Sequence, residues 1–158
     1  MFRDSFGNAL LPLLAEQYAT ATFSRALPFA LDLTEIEGAD TVIVEIVERN
    51  LQNLLAYAPK MAAPIREMPA VTAEEAIATA TAAKSGNYLK VSGNTDHTVF
   101  NRVYLAVDGV AYEAFPITEG DAAAEDGFTA YLPADCASKT ITLLGENHGE
   151  WICIGTIN

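Results

Sequence analysis

Histidine and cysteine build most metal and nucleophilic sites, and this chain has only His97, His148, Cys136 and Cys153. A zinc site needs three or four such ligands at workable spacing. No two of these four stand at a ligand spacing, so the pattern supports no metal site. His97 lies in Gly93-Asn94-Thr95-Asp96-His97-Thr98, and His148 lies in Gly145-Glu146-Asn147-His148-Gly149-Glu150. Both segments have the composition of exposed turns. Asp96 beside His97 gives a base next to a carboxylate, the minimum for a small hydrolase, but the nucleophile would have to come from elsewhere. No Gly-x-Ser-x-Gly elbow marks one, and Ser85-Gly86 and Ser92-Gly93 read as turns. No phosphate-cradling glycine pattern is present.

Two other groups of side chains have chemical potential. The acidic stretch 118–127 carries Glu119, Asp121, Glu125 and Asp126. Calcium needs oxygen ligands that converge, and this spacing departs from the EF-hand order, so the expectation is a solvated loop. The aromatic residues Tyr88, Phe100, Tyr104, Tyr112, Phe115, Phe128, Tyr131 and Trp151 all fall in the C-terminal half. An aromatic face binds sugar or peptide when it is exposed, and packs a core when it is not. Cys136 and Cys153 are too few for a disulfide scaffold and read as buried thiols. The residues therefore assign no catalytic role, no metal and no cofactor.

The totals narrow the partners. The chain has 158 residues, 51% apolar and 19% charged, against a usual charged share of about 25%. That excess of apolar residues argues for surface buried against another chain. Net charge is −12, and the nine cations are scattered with no two adjacent. Nucleic acids and anionic membranes bind clustered cations, so both are excluded as direct partners. Residues 1–6, Met-Phe-Arg-Asp-Ser-Phe, lack the pattern of a secretory signal, and no apolar run approaches a membrane span. The expected setting is the cytoplasm or a virion.

The elements that would position these residues change character near Gly86. Before it, apolar residues recur at helical spacing. Phe2, Phe6, Leu10, Leu14 and Tyr18 form one stripe over a helix at 4–18, capped by Asp4 or Ser5. Pro12 either kinks that helix or starts a second short one. Val42, Ile43, Ile46, Val47, Leu51, Leu54 and Leu55 predict a helix over 40–58, with a β-branched strand at 41–47 as the competitor. Pro59, Pro64 and Pro69 mark a linker. Thr72-Ala73-Glu74-Glu75 fits a capping box for a third helix, Ala- and Thr-rich, ending near Lys84 with Gly86 in the left-handed conformation.

After Gly86 the apolar residues alternate. Asp108-Gly109 between 103–107 and 110–115 predicts a hairpin with a type I′ turn. Its register buries Val103, Leu105, Val107, Val110, Tyr112 and Ala114, and places Arg102, Tyr104, Glu113 and Phe115 on the other face. Further strands are expected at 88–92, 128–132, 139–144 and 151–157, the last two as a hairpin. The expected fold is α+β: N-terminal helices over 1–86, then an antiparallel β-sandwich of about six strands over 87–158.

The functional expectation is a non-enzymatic structural or assembly protein. It would self-associate, or dock on other subunits of a larger assembly, through Phe2, Phe6, Leu10 and Leu14, with Tyr104 and Phe115 as further contacts. A helical arm joined to a β module is an arrangement used by virion accessory proteins such as capsid decoration or head–tail components of tailed phages, an analogy of architecture alone. The alternative is a β-sandwich module binding carbohydrate or peptide through Tyr104, Phe115 or the acidic loop.

Overall fold

The computed structural model describes residues 1–95, 100–116 and 127–158. The chain is rich in strand, with short helices in its N-terminal part and, among the described residues, three sheets, none closed. It divides into two compact units, Met1–Met61 and Ala62–Asn158. The division lies well before the boundary expected near 85–87. Among the described residues no helix is long and apolar enough to cross a membrane.

In the first unit, β1 (Phe2–Arg3) runs parallel to β2 (Val44–Glu45), with Phe2 opposite Val44. A 3₁₀ turn at Phe6–Leu10 leads into α1 (Leu11–Gln17). Pro12 stands in the first turn of α1, where its missing N–H removes no helix bond, so it starts a new helix instead of kinking an old one. Two single-turn helices follow, α2 (Leu33–Ile36) and α3 (Asn53–Ala56).

The single helix expected at 4–18 is therefore corrected, because Phe2 pairs as a strand and the stripe is broken. The helix expected at 40–58 is also corrected. Residues 44–45 form β2, a 3₁₀ turn covers Glu48–Asn50, and only Asn53–Ala56 is helical. The cause lies at Asp4. Its carboxylate accepts from the Val47 amide (2.9 Å) and the Asn50 side chain (2.8 Å), and from the Phe6 amide (2.8 Å). Val47 is held extended (φ −70, ψ 143), and its amide is lost to any helical ladder.

The second unit holds β3 (Ile65–Arg66), β4 (Val71–Glu74), β5 (Thr79–Ser85), β6 (Tyr88–Asn94), β7 (Arg102–Val107), β8 (Val110–Glu113), β9 (Gly127–Pro133), β10 (Ile141–Asn147) and β11 (Glu150–Ile157). One sheet has the order β3-β8-β7-β10-β11-β4, and the other β5-β6-β9. The larger sheet is mixed, since β4 lies parallel to β11, so a purely antiparallel arrangement is corrected.

The third expected helix is replaced by β4 and β5. Its sequence has one large apolar residue, Ile77, and so no stripe to bury against a core. Thr79 and Thr81 instead alternate with Ala80 and Ala82, and the segment zips onto β6 in register from Thr79↔Asn94 to Ser85↔Tyr88. The Thr72 hydroxyl donates to the Trp151 carbonyl (3.3 Å) instead of capping a helix. Gly86 does take a left-handed φ of 62, but in the turn of the β5–β6 hairpin.

The Asp108-Gly109 hairpin forms as expected. Val107 faces Val110, Leu105 faces Tyr112, and Asp108 and Gly109 have φ of 49 and 82, the signs a type I′ turn needs. The final hairpin turns more tightly than expected, at His148-Gly149, with φ of 50 and 87.

One buried cluster draws from both sheets of this unit. It contains Leu89 and Val91 of β6, Phe128 and Leu132 of β9, Val103, Leu105 and Val107 of β7, Leu143 of β10 and Ile154 of β11. Gly145 makes room for Phe100 in it, because a Cβ at that position would stand 2.5 Å from the Phe100 ring. Tyr104, Ala106, Ala111 and Leu144 form a second cluster with Trp151 and Cys153.

Candidate functional site

Three places in the structure have the chemistry or the exposure to act. The first is a cleft of about 330 Å³ in the first unit, lined by Phe2, Leu14, Tyr18, Phe23, Leu33 and Ile43, with Glu37, Asp40 and several hydroxyls around it. Its lining holds no His, Cys, Lys or Arg. The Met1 amino group also lines it, donates to the Thr22 carbonyl (2.6 Å) and is lowered below its ordinary value by burial.

The second is an ion cluster in the second unit. Lys139 reaches Asp135 (3.0 Å) and Asp108 (3.3 Å). The hydrogen bonds that Lys139 donates, first to Asp135 and then to Asp108, raise its ammonium above its ordinary value, and the same contact lowers Asp135. Burial pushes up the neighbouring Cys136 thiol and the Tyr112 hydroxyl. A thiol that is held protonated is a poor nucleophile and a poor metal ligand. Each of these shifts favours the protonation state the group already has at neutral pH. Among the described residues, no group of three or more His, Cys, Asp or Glu could hold a metal ion.

The third is exposed apolar surface. Phe6 is 51% exposed, and Leu10, Leu13 and Tyr18 are also exposed on the same stretch. The Arg49 guanidinium lies 4.6 Å from the centre of the Phe6 ring, so one face of that ring is already covered. Leu14 is half-buried in the cleft wall. Phe2 is buried and packs against Phe29 with ring centres 6.2 Å apart, which corrects its assignment as a contact residue.

The two aromatic candidates of the second unit fare differently from expectation. Tyr104 does lie on the face opposite Leu105, but it is 6% exposed, its ring 4.2 Å from that of Trp151. A buried ring offers no platform to a sugar or a partner, so this assignment is corrected. Phe115 is half-buried and exchanges backbone hydrogen bonds with Thr129 of β9 (2.8 and 2.9 Å). His148 is exposed in its turn, Cys136 is buried, and Cys153 is half-buried in the other cluster, with both thiols free. Asp96 and His97, and the acidic residues Glu119, Asp121, Glu125 and Asp126, lie outside the described residues.

Sequence reasoning missed one feature, the open edge of β5. Its signal was the alternation Ala78-Thr79-Ala80-Thr81-Ala82, a period of two inside a stretch whose Ala content suggests helix. The chain matches no family model, no curated protein and no solved structure.

Proposed function

We propose that this chain is a non-enzymatic structural subunit that associates with copies of itself, or docks on a larger assembly, through its first unit. The observation that carries the reading is the thinness of that unit's interior. Of residues 1–61, the side chains seen buried are those of Phe2, Phe29, Asp32 and Ala58, with Gly7 beside them. Meanwhile Phe6, Leu13, Ile36, Val42, Val44 and Leu51 stand 46–60% exposed. Covering the exposed half of such a side chain contributes about 1 kcal/mol. Several must be covered together to offset the roughly 4–15 kcal/mol lost on association. The first unit has enough of them for that.

We read the two sheets of the second unit as the layers of a sandwich, because one buried cluster takes side chains from both. A small apolar unit ahead of an acidic β module suits an accessory subunit of a virion, and that setting is part of the proposal on architecture alone. The competing role, a carbohydrate- or peptide-binding module, loses Tyr104 of its three candidate contacts to burial, while Phe115 stays half-buried and the acidic loop lies outside the described residues.

Thermal melts at several protein concentrations test the reading. Self-association makes the melting temperature rise with concentration in the absence of ligand, and Phe6→Ser with Leu10→Ser weakens that dependence. A melting temperature independent of concentration, but raised by calcium or a glycan, would sink the assembly role in favour of ligand binding.

A further inference from the structure

The geometry points to β5 as a pairing edge that joins two copies of this chain, strand against strand and antiparallel. The inference rests on the self-association reading above and names a second, independent contact within it.

The first observation is that β5 ends its sheet, with no described strand on its outer side. The hydrogen-bonding parity can be followed across the sheet. Thr129 of β9 bonds outward to Phe115, so Phe128, Ala130 and Leu132 bond inward to β6. In an antiparallel ladder alternate residues face opposite neighbours. Tyr88, Lys90, Ser92 and Asn94 of β6 therefore bond to Ser85, Ala83, Thr81 and Thr79, and the amides and carbonyls of Ala80, Ala82 and Lys84 point away from the sheet. The far edge, β9, is partly occupied by Phe115. Of the two edges of this sheet, β5 is the one without a partner among the described residues.

The second observation is the lack of protection. Exposed edges are usually blunted by shortness, proline, a bulge or charge. β5 has seven residues, contains no proline, and pairs with β6 without a register shift. Its one charge, Lys84, stands near one end.

The third observation selects a second copy as the occupant. The chain carries 21 carboxylates, yet β5, β6 and β9 contain none, and residues 76–95 hold only Lys84 and Lys90 as charges. Copies of a chain with net charge −12 repel over most of their surface. This sheet is where they approach without opposing carboxylates. Antiparallel pairing centred on Ala82 sets Ala82 opposite its own copy and Lys84 opposite Ala80. The two Lys84 side chains then lie about four residues, or roughly 14 Å, apart along the strands, beyond the ~8–10 Å reach of unscreened repulsion. Three outward residues on each strand form about six hydrogen bonds. Ala and Thr side chains leave nothing bulky in the way.

The test compares the full chain with Ala82→Lys and Ala82→Pro by sedimentation at matched concentration. Ala82→Lys puts like charges directly opposite one another, and Ala82→Pro deletes an outward amide that β6 does not use. Folding of each variant is checked by its thermal melt. Pairing predicts a wild-type mass of an even number of chains, halved in either folded variant. It also predicts slowed exchange of the Ala80, Ala82 and Lys84 amides in the wild type alone. A wild-type oligomer whose mass and exchange are unchanged by Ala82→Lys would overturn the edge pairing and leave the self-association reading standing. A wild-type monomer would overturn both.

Discussion

Asp4 decides the path of the first unit with one carboxylate. It holds the amides of Phe6 and Val47 and the amide group of Asn50, joining positions 43 and 46 residues apart. The Val47 hydrogen bond comes first among the causes that hold its carboxyl below the ordinary value. A group whose folded value is depressed stabilises above its unfolded value and loses that contribution as pH falls through the folded one. The Val47 amide should therefore be protected from exchange at neutral pH and lose protection in acid below the ordinary carboxylate range. Asp4→Asn should flatten that pH dependence, and an unchanged profile would show that Asp4 is not the anchor. At Gly145 the constraint is steric. Gly145→Ala drives a methyl into the Phe100 ring and should cost about 1–3 kcal/mol in denaturant unfolding. A neutral effect would mean Phe100 has room to move. Neither constraint was legible in the sequence, because each depends on a neighbour brought from far along the chain. The face assignment of Tyr104 was legible from strand alternation. Its burial was not, since alternation separates two faces without saying what covers them.

Elements were readable where local chemistry and tertiary pairing agree. The Asp108-Gly109 hairpin formed in its expected register because the turn itself requires two positive φ values, which Asp-Gly accommodates. The segment 71–85 was unreadable for the opposite reason. Ala favours helix and Thr favours strand, and pairing with β6 decided between them. The parity of β5 gives a prediction at this scale. Ala83→Pro removes an amide that bonds to Lys90, and Ala82→Pro removes one that points outward. The first should lose about 1–3 kcal/mol of stability and the second distinctly less. Equal losses would show that the parity assigned to β5 is wrong. The helix read over 40–58 failed similarly, since its apolar spacing was sound while a distant carboxylate claimed the Val47 amide.

For the whole molecule, the sequence pointed to a β-rich C-terminal part and to excess apolar surface. It misplaced the division between units, because the change of rhythm at Gly86 marks a hairpin turn and not a domain edge. The stretch 62–85 reads as linker and helix in isolation, yet it supplies β3, β4 and β5 to the sheets of the second unit. With those strands reassigned, the first unit is left small and thinly packed, and its exposed Phe6, Leu13 and Ile36 become the main reason to expect a partner. The most direct test of that expectation is the mass of the purified chain by light scattering after size exclusion, followed over a dilution series. Self-association through the first unit gives a defined oligomer, well above the 16.9 kDa of one chain, that persists on dilution. A single 16.9 kDa species at every concentration would contradict it.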